Sequence, residues 1–253
     1  MSAPLLRFHG ARLAFGPLEV LRELDLEVRA GEFVALVGPS GCGKTTILNL
    51  ASGWLAPTAG AIDRSAGVRM VFQQDGLFPW RTVAENVRLG LRHVADEAER
   101  ARRESEFLAL VDLSPFAGHY PHQLSGGMRQ RAELARALAG DASLLLMDEP
   151  FSSLDYLARL RMRAELARLL EEQPRTVVLV THDIEEAAQL ADRVLVLSER
   201  PARIREEVRL QAPRPRAATD ADVVRAVHHI LTLLGLESDR ETSAVARGGL
   251  EVR

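Results

Sequence analysis

The feature that most constrains this chain is a glycine-rich loop set between an apolar segment and a helix-forming one. The loop reads Gly38-Pro39-Ser40-Gly41-Cys42-Gly43-Lys44-Thr45-Thr46, and it follows the apolar run Phe33-Val34-Ala35-Leu36-Val37. It satisfies the pattern G-x-x-x-x-G-K-[ST], in which backbone N–H groups wrap phosphates and a helix N-terminus adds positive potential. An apolar strand leading into such a loop is typical of the centre of a parallel sheet. The sequence therefore predicts an α/β fold with a phosphate-binding loop.

Two side chains of the loop have chemical roles in this pattern. Lys44 is predicted to reach the β and γ phosphates of a nucleotide, and Thr45 is predicted to ligate Mg²⁺. The alternative is a glycine turn without a ligand, which the Lys-Thr pair and the strand–loop–helix context disfavour.

An acidic pair follows a later apolar segment. Asp148 and Glu149 come directly after Leu144-Leu145-Leu146-Met147, so their side chains emerge where a buried strand ends. In proteins with a phosphate loop such an aspartate supports Mg²⁺. The glutamate beside it can hold a water for in-line attack on the γ phosphate. The alternative is an acidic loop that caps the next helix.

A second glycine-rich segment lies far from the first along the chain. It reads Leu124-Ser125-Gly126-Gly127-Met128-Arg129-Gln130-Arg131. Serine is a good N-cap, and two glycines let backbone amides approach an anion closely. A single nucleotide site rarely needs both segments. Two glycine-rich segments make sense if the chain dimerises and each subunit completes its partner's site. The alternative is that the second segment is the start of an ordinary capped helix.

Strand-like and helix-like segments alternate through the rest of the chain, which favours a largely parallel α/β core. The predicted strands are Leu5–Phe8, Arg22–Val28, Phe33–Val37, Val68–Phe72, Ser143–Met147, Thr176–Val180 and Val194–Leu197. Residues 82–140 are predicted to be mainly helical, beginning at a capping box of Thr82 and Glu85. Residues 211–216 are predicted to form a linker. Residues 223–234 are predicted to form a helix with one apolar face that Gly235 caps, and residues 238–253 a poorly ordered tail.

Composition excludes several classes of protein. A net charge of −3 over 253 residues does not suit a nucleic-acid binder held by bulk electrostatics. No apolar run approaches the roughly 20 residues needed to cross a bilayer, and no signal peptide is evident. Cys42 is the only cysteine, which fits a reducing compartment. We therefore expect a soluble, cytosolic chain.

The ordered set of motifs resembles the ATP-binding subunits of ABC transporters. Residues 38–46, 124–128 and 144–149 match the family's Walker A, signature and Walker B sequences. The resemblance covers residues 5–205 and implies a P-loop NTPase core with an N-terminal antiparallel β subdomain and an inserted helical subdomain at about 82–140. It implies an ATPase domain at 1–210, followed by the linker, short helix and tail.

The resemblance also assigns single residues. Gln73 resembles the Q-loop glutamine, which senses Mg²⁺ and couples to the membrane subunit, although the adjacent Gln74 leaves the register open. His182 resembles the switch histidine that contacts the γ phosphate, and Asp155 belongs to the family's D-loop. Phe15 lies where the family stacks an aromatic ring on adenine, and a core aromatic is the alternative.

Three sets of site residues follow from the motifs and the resemblance. Hydrolysis is assigned to Glu149, His182, Lys44 and Gln73. ATP binding is assigned to Phe15, residues 38–46, Gln73, Asp148, Ser125, Gly126, Gly127, Gln130 and Asp155. Mg²⁺ is assigned to Thr45, Gln73 and Asp148.

Two short segments narrow the resemblance to the nitrate, sulfonate and taurine importer ATPases. They are residues 76–83, which contain Phe78 and Trp80, and residues 198–204. This implies a head-to-tail homodimer beneath integral-membrane permease subunits, at the cytoplasmic face of the inner membrane. A solute-binding protein is an indirect partner, and nucleic acid is not one. The two aromatics suit a groove for a permease helix, with core packing as the alternative.

Other functions fit less well. A soluble ABC ATPase without a permease usually carries two cassettes or a long coiled-coil insertion, and neither is present. A phosphate-loop kinase would not explain the second glycine-rich segment or His182. A nucleotide-dependent scaffold without turnover would not need Glu149 and His182. The transported solute does not follow from this sequence, because it touches the permease and the binding protein.

Overall fold

The computed structural model describes residues 4–64, 67–72 and 76–236. The strands of this part are β1 Pro4–Phe15, β2 Leu18–Arg29, β3 Phe33–Val37, β4 Ala59–Arg64, β5 Val68–Val71, β6 Leu144–Asp148, β7 Thr176–Val180, β8 Arg193–Leu197 and β9 Ile204–Arg209. The α-helices are α1 Lys44–Ser52, α2 Val83–Gly90, α3 Glu97–Leu110, α4 Gly126–Leu138, α5 Tyr156–Glu172, α6 Ile184–Leu190 and α7 Ala221–Leu234.

The larger sheet places the phosphate loop, the acidic pair and His182 at one edge. Its strand order is β5-β6-β7-β3-β8-β9, with only β9 antiparallel to its neighbour among the described strands. Every residue of β3, β6 and β7 is buried, as expected for central parallel strands. Because these strands are parallel, their carboxyl ends lie at the same edge of the sheet. Ligands of open α/β sheets bind at this edge.

The smaller sheet is antiparallel, in the order β2-β1-β4, and packs over α1 and the larger sheet. Both β1 and β2 are longer than the sequence predicts, because register shifts let their pairing continue beyond the regularly patterned residues. The sequence did not reveal β4 or β9. Almost every residue of β4 is exposed, so the strand carries no apolar period to detect.

The helical part contains α2, α3, α4 and three short 3-10 turns at Leu91–His93, Ser114–Phe116 and Pro121–Gln123. The predicted capping box at the start of α2 is confirmed. The Glu85 N–H donates to the Thr82 hydroxyl at 3.2 Å, and the Thr82 N–H donates to the Glu85 carboxylate at 2.8 Å. Helix α4 packs against α2 and β5, so it joins the helical part to the core.

The predicted C-terminal helix is α7, which ends at Gly235 in a left-handed conformation. Its buried residues face α6, β8 and β9. The segment predicted as a linker lies on the core. The Arg216 guanidinium donates to the carbonyl oxygens of Ala191 and Ala212, both at 2.7 Å, and Arg214 lies over the Phe33 ring. The predicted tail at 238–253 falls outside the described residues.

Candidate nucleotide site

The phosphate loop is a packed turn between β3 and α1. Gly43 has a φ of 119°, and a Cβ there would lie 3.0 Å from Val20 Cγ1. Lys44 is buried, and its ammonium group donates to the carbonyl oxygens of Gly38 at 2.8 Å and Pro39 at 3.0 Å. The positive charge is therefore held inside the curve of the loop, where the sequence places the phosphates.

Asp148 ends β6 beside the first turn of α1. Burial raises the pKa of its carboxyl group, while a hydrogen bond with the Thr45 hydroxyl lowers it. Asp148 is only 2% exposed, and its Oδ1 has no hydrogen-bond partner among the described residues. A buried carboxylate oxygen without a donor fits a cation.

The chemistry of these two groups suits Mg²⁺ in particular. No group of three or more His, Cys, Asp or Glu side chains that could hold a metal occurs in the described part of the chain. Mg²⁺ is commonly held by one or two protein oxygens together with substrate phosphates and water. Thr45 and Asp148 therefore fit the ion as a pair that a nucleotide completes.

Glu149 and His182 lie together at the ends of β6 and β7. The distance from Glu149 Oε2 to His182 Nδ1 is 3.1 Å. The Glu149 side chain is largely buried, whereas that of His182 is 61% exposed. The Glu149 N–H donates to the Val180 carbonyl at 2.9 Å, which links the two strand ends. The structure thus brings two predicted catalytic side chains into contact next to Asp148.

The second glycine-rich segment forms the start of α4, as predicted. Ser125 is the N-cap, and its Oγ accepts from the Met128 N–H at 3.3 Å. Ser125 is exposed. No hydrogen bond of the described residues joins Ser125 to the phosphate loop. A Cβ on Gly127 would lie 3.1 Å from the Ser153 carbonyl, so α4 begins in close contact with the loop after β6.

Two residues predicted to bind ATP use their side chains within this chain. Gln130 is buried, and its Nε2 donates to the Glu149 carbonyl at 2.9 Å while its Oε1 accepts from the Ser153 N–H at 2.8 Å. The Asp155 carboxylate caps α5 by accepting from the Ala158 N–H at 2.9 Å. Both side chains organise the loop between β6 and α5. Their direct contact with nucleotide stays a prediction.

Phe15 lies at the end of the hairpin formed by β1 and β2, where it pairs with Leu18. The ring is 51% exposed, so core packing does not account for it. Val20, which contacts the phosphate loop, is two residues beyond Leu18 on the same hairpin. An exposed aromatic face beside the loop suits stacking on a base, which stays a prediction.

Gln73 lies outside the described residues, but both flanks of its segment are described. One carboxylate of Glu133 accepts from the Phe72 N–H at 3.0 Å and from the Gly76 N–H at 2.9 Å. Glu133 lies on α4 and is 2% exposed. Sequence reasoning missed this anchor. The available signal was a carboxylate among the apolar residues of α4.

Asn86 was missed in the same way. It is fully buried, and its amide holds the turn before α2 by accepting from the Phe78 N–H at 2.9 Å and donating to the Thr82 carbonyl at 2.9 Å. This turn presents Phe78 and Trp80 outward, at 40% and 70% exposure. Leu77 is instead buried in the main core. The core alternative, stated for Phe78 and Trp80, therefore does not hold for Trp80.

We name the depression beside this turn the aromatic groove. Its volume is about 620 Å³, and it is lined by Arg69, Met70, Phe72, Gly76, Phe78, Leu89, Gly90, Arg92, His93, Arg136, Ala137 and Asp141. The Phe78 ring packs against Trp80, and Phe72 against the exposed Trp54. Four aromatic rings thus lie in and around one groove, whose lining includes Phe72 and Gly76, the described residues on either side of Gln73 in the sequence.

A cluster of buried charges lies behind the loop that carries His182. Arg163 of α5 donates to Glu186 Oε2 at 3.1 Å and also pairs with Asp183. The Asp183 carboxylate caps α6 by accepting from the Glu186 N–H at 2.9 Å. Burial raises the pKa of Glu186 to about 7, although Arg163 opposes the change.

Comparison with known proteins agrees with this geometry. A family model described as ABC transporter matches residues 21–152, and one described as an AAA domain, putative AbiEii toxin, Type IV TA system, matches residues 117–188. The chain is 44% identical to the aliphatic sulfonates import ATP-binding protein SsuB of Granulibacter bethesdensis, over 97% of this chain and 99% of the relative. It is also 44% identical to the taurine import ATP-binding protein TauB of Pelagibacter ubique, over 76% of each.

Solved structures agree as well. A dimeric structure of a post-hydrolysis state of the ATP-binding cassette MJ0796, bound to ADP and Pi, superimposes with a TM-score of 0.72 at 33% identity. The match covers 82% of this chain and 99% of that one. The predicted P-loop NTPase core, with its antiparallel β subdomain and inserted helical subdomain, is thereby confirmed.

The described helices include none that is both long and apolar enough to span a membrane. The family model covers both glycine-rich segments and the acidic pair, and the relatives match over most of the chain. This chain belongs to the ABC transporter family and is one of its ATP-binding ATPase cassettes.

Proposed function

We propose that this chain is the ATPase subunit of an importer for a small solute of the sulfonate, taurine or nitrate type. It acts with a separate permease at the cytoplasmic face of the inner membrane, and with a solute-binding protein indirectly. The aromatic groove carries the proposal. Phe72 and Gly76 line it, and these residues flank Gln73 in the sequence and donate their N–H groups to Glu133 of α4. A soluble cassette without a permease, or a scaffold without turnover, would not need this surface.

The site is completed by a second copy of the chain, placed head to tail. Each ATP then lies between the phosphate loop of one subunit and residues 125–127 of the other. The exposure of Ser125 supports this arrangement. Phe15 stacks on the base, Asp155 and Gln130 support the loop next to the partner, and the backbone amides at the start of α4 meet the γ phosphate.

Hydrolysis follows from the side chains at the strand ends. The Glu149 carboxylate accepts a hydrogen bond from the attacking water and takes up its proton as the new O–P bond forms. The bond between the γ phosphorus and the oxygen bridging to the β phosphate breaks at the same time, and ADP leaves. His182, held by Glu149, contacts the γ phosphate, and Lys44 neutralises charge on the β and γ phosphates. Thr45, Asp148 and Gln73 would hold Mg²⁺, which would offset negative charge on the phosphates when bound.

The domain boundaries proposed from the sequence fit this function. Residues 1–210 form the ATPase domain, with the helical subdomain at about 82–140 directed toward the permease. The segment after residue 210 and α7 pack on the outside of the core.

Charge defines the partner that the aromatic groove accepts. Arg69, Arg92 and Arg136 line it, against Asp141. Exposed aromatic rings next to positive charge suit a short amphipathic helix with apolar and acidic faces. A cytoplasmic helix of the permease with these two faces is therefore the proposed occupant.

The experiment uses two neighbouring residues that differ in burial. Trp80→Asp is expected to leave the melting temperature and the ATP affinity of the isolated subunit unchanged, because Trp80 is 70% exposed. It should abolish copurification with the coexpressed permease and lower solute uptake by at least about tenfold, the loss expected for an interface aromatic worth about 2 kcal/mol.

Leu77→Asp is the matched control. It adds the same charge three residues away, but at a position that is 7% exposed. It should destabilise the fold by about 3 kcal/mol or more, because it buries an unpaired charge. A folded Trp80→Asp variant that assembles and transports like the wild type would place the permease contact elsewhere and defeat the proposal.

A further inference from the structure

The backbone of the proposed catalytic glutamate is held in an unusual conformation. Glu149 has a φ of 48°, in the left-handed region that glycine favours. Such a residue keeps its conformation only when neighbouring groups fix it, and such residues cluster at active sites. The groups that fix Glu149 therefore also fix the position of its carboxylate.

Those groups come from three directions. The Glu149 N–H donates to the Val180 carbonyl at 2.9 Å. The Glu149 carbonyl accepts from Ser152 Oγ at 3.0 Å and from Gln130 Nε2 at 2.9 Å. Val180 belongs to the sheet and Ser152 to the same loop. Gln130 reaches the loop from α4.

Gln130 clamps both ends of this tight loop. Its Nε2 holds the Glu149 carbonyl, and its Oε1 accepts from the Ser153 N–H at 2.8 Å. Both ends of the amide are used, and the residue is 6% exposed. An amide satisfied in this way fixes the distance between residues 149 and 153.

The same face of α4 makes a second contact one turn earlier. A Cβ on Gly127 would lie 3.1 Å from the Ser153 carbonyl and 3.2 Å from Leu154 Cδ2. Residues three apart on a helix share a face. The start of α4 thus contacts the loop at two points, Gly127 and Gln130.

We propose that Gln130 is a positioning residue that links the two nucleotide sites of the dimer. Its amide sets the backbone of Glu149, so the start of α4, which meets the ATP held by the partner, controls the catalytic geometry of its own subunit. This inference rests on the proposed roles of Glu149 and of residues 125–127. It also gives Gln130 a function different from the nucleotide contact that the sequence predicts.

Two substitutions separate the hydrogen bonds from packing. Gln130→Met keeps the length of the side chain and removes both hydrogen bonds. Gln130→Glu keeps an acceptor for the Ser153 N–H but places a carboxylate oxygen against the Glu149 carbonyl. Gln173→Glu is the charge-matched control, because Gln173 is exposed at the end of α5.

The measurements are steady-state ATP hydrolysis, thermal melting, and ATP-dependent dimerisation in a Glu149→Gln background. For Gln130→Met we expect kcat to fall by about 10- to 100-fold, because small misplacements of a catalytic group have effects of this size. Gln130→Glu should lower kcat further. The KM for ATP and the melting temperature of Gln130→Met should stay near the wild-type values. ATP-dependent dimerisation of the Gln130→Met, Glu149→Gln double variant should match that of Glu149→Gln alone. Gln173→Glu should match the wild type.

Two results would overturn the inference. One is a folded Gln130→Met variant with a kcat within twofold of the wild type. The other is loss of ATP-dependent dimerisation with a raised KM for ATP, which would indicate that Gln130 contacts the nucleotide directly, as the sequence predicts. Because Gln130→Met adds no buried charge, it keeps the test valid if Gln130→Glu unfolds. Failure of the proposed function itself is distinguishable, since Glu149→Gln alone would then hydrolyse ATP normally.

Discussion

The chain contains two glycine-rich helix starts that differ in how completely they are built. At the phosphate loop, Lys44 is buried and Gly43 packs against Val20. At the start of α4, Ser125 is exposed, and a Cβ on Gly126 would approach only the end of a side chain, at 4.0 Å. The first is a packed turn whose charge is held within one subunit. The second is an open surface.

This difference suggests two uses for a glycine-rich helix N-terminus, one within a subunit and one between subunits. Both sites are helix N-termini, whose backbone N–H groups suit an anion. At the phosphate loop we expect phosphate to bind within one chain, because the Lys44 charge is already held inside the loop. At the exposed start of α4 we expect an anion to bind only when a second molecule covers this surface. Changes at the first site should act within a subunit, and changes at the second should act across the dimer.

Mixing two inactive variants gives the largest expected effect. Lys44→Ala and Ser125→Arg should each lower ATP hydrolysis by about 10² or more, the usual loss when a transition-state stabiliser is removed. An equal mixture should recover roughly a quarter of the wild-type rate, because about half of the dimers are mixed and each has one intact site. A Ser125→Arg homodimer with the wild-type rate would show that the start of α4 completes no site.

Alanine substitutions at two glycines should separate folding from assembly. Gly43→Ala is expected to destabilise the protein by about 2 to 3 kcal/mol in urea unfolding, because of the positive φ and the contact with Val20. Gly126→Ala should leave stability within about 0.5 kcal/mol, since alanine suits a helix. It should instead weaken ATP-dependent dimerisation. Equal losses of stability would remove the contrast between the packed and the open site.

The pH dependence of stability should come from Glu186, in the cluster of buried charges behind the loop that carries His182. The pKa of Glu186 in the fold is about 7, against 4.5 ordinarily, so the folded chain binds more protons between these values. Stability should therefore fall as pH rises from about 4.5 to 7, by on the order of 2 kcal/mol. Glu186→Gln should flatten this part of the profile.

Glu185→Gln is the control for this measurement, because Glu185 is the exposed neighbour on the same helix. Its pH profile should follow that of the wild type. Equal profiles for the Glu185 and Glu186 variants would mean that the cluster behind His182 does not set the pH dependence.

The sequence predicts the residues whose roles depend on local position. Lys44 and Thr45 follow a fixed loop pattern, and Asp148 and Glu149 follow a buried apolar strand. In these cases the pattern that identifies the residue also sets the direction in which its side chain emerges. The capping box at Thr82 was predictable for the same reason, because both of its partners lie within four residues.

The residues that sequence reasoning missed bind backbone groups elsewhere in the chain. Glu133 accepts from the N–H groups of Phe72 and Gly76, and Asn86 accepts from the N–H group of Phe78. Almost any residue can supply an N–H or a carbonyl, so such a contact leaves no complementary residue type to find. Leu77 and Trp80 show a related limit, since both are apolar and only the tertiary packing decides which one faces solvent.

Helix α4 has a consequence for how this cassette could be adapted. Gln130 holds the Glu149 backbone, and Glu133 accepts from the N–H groups of Phe72 and Gly76 in the aromatic groove. These two residues of α4 are three positions apart, about 4.5 Å along the helix axis. At so short a spacing, a displacement of Glu133 by the permease is expected to displace Gln130 as well. Exchanging the permease for a foreign one should therefore alter the resting rate of ATP consumption, even when every residue that touches the nucleotide is left unchanged.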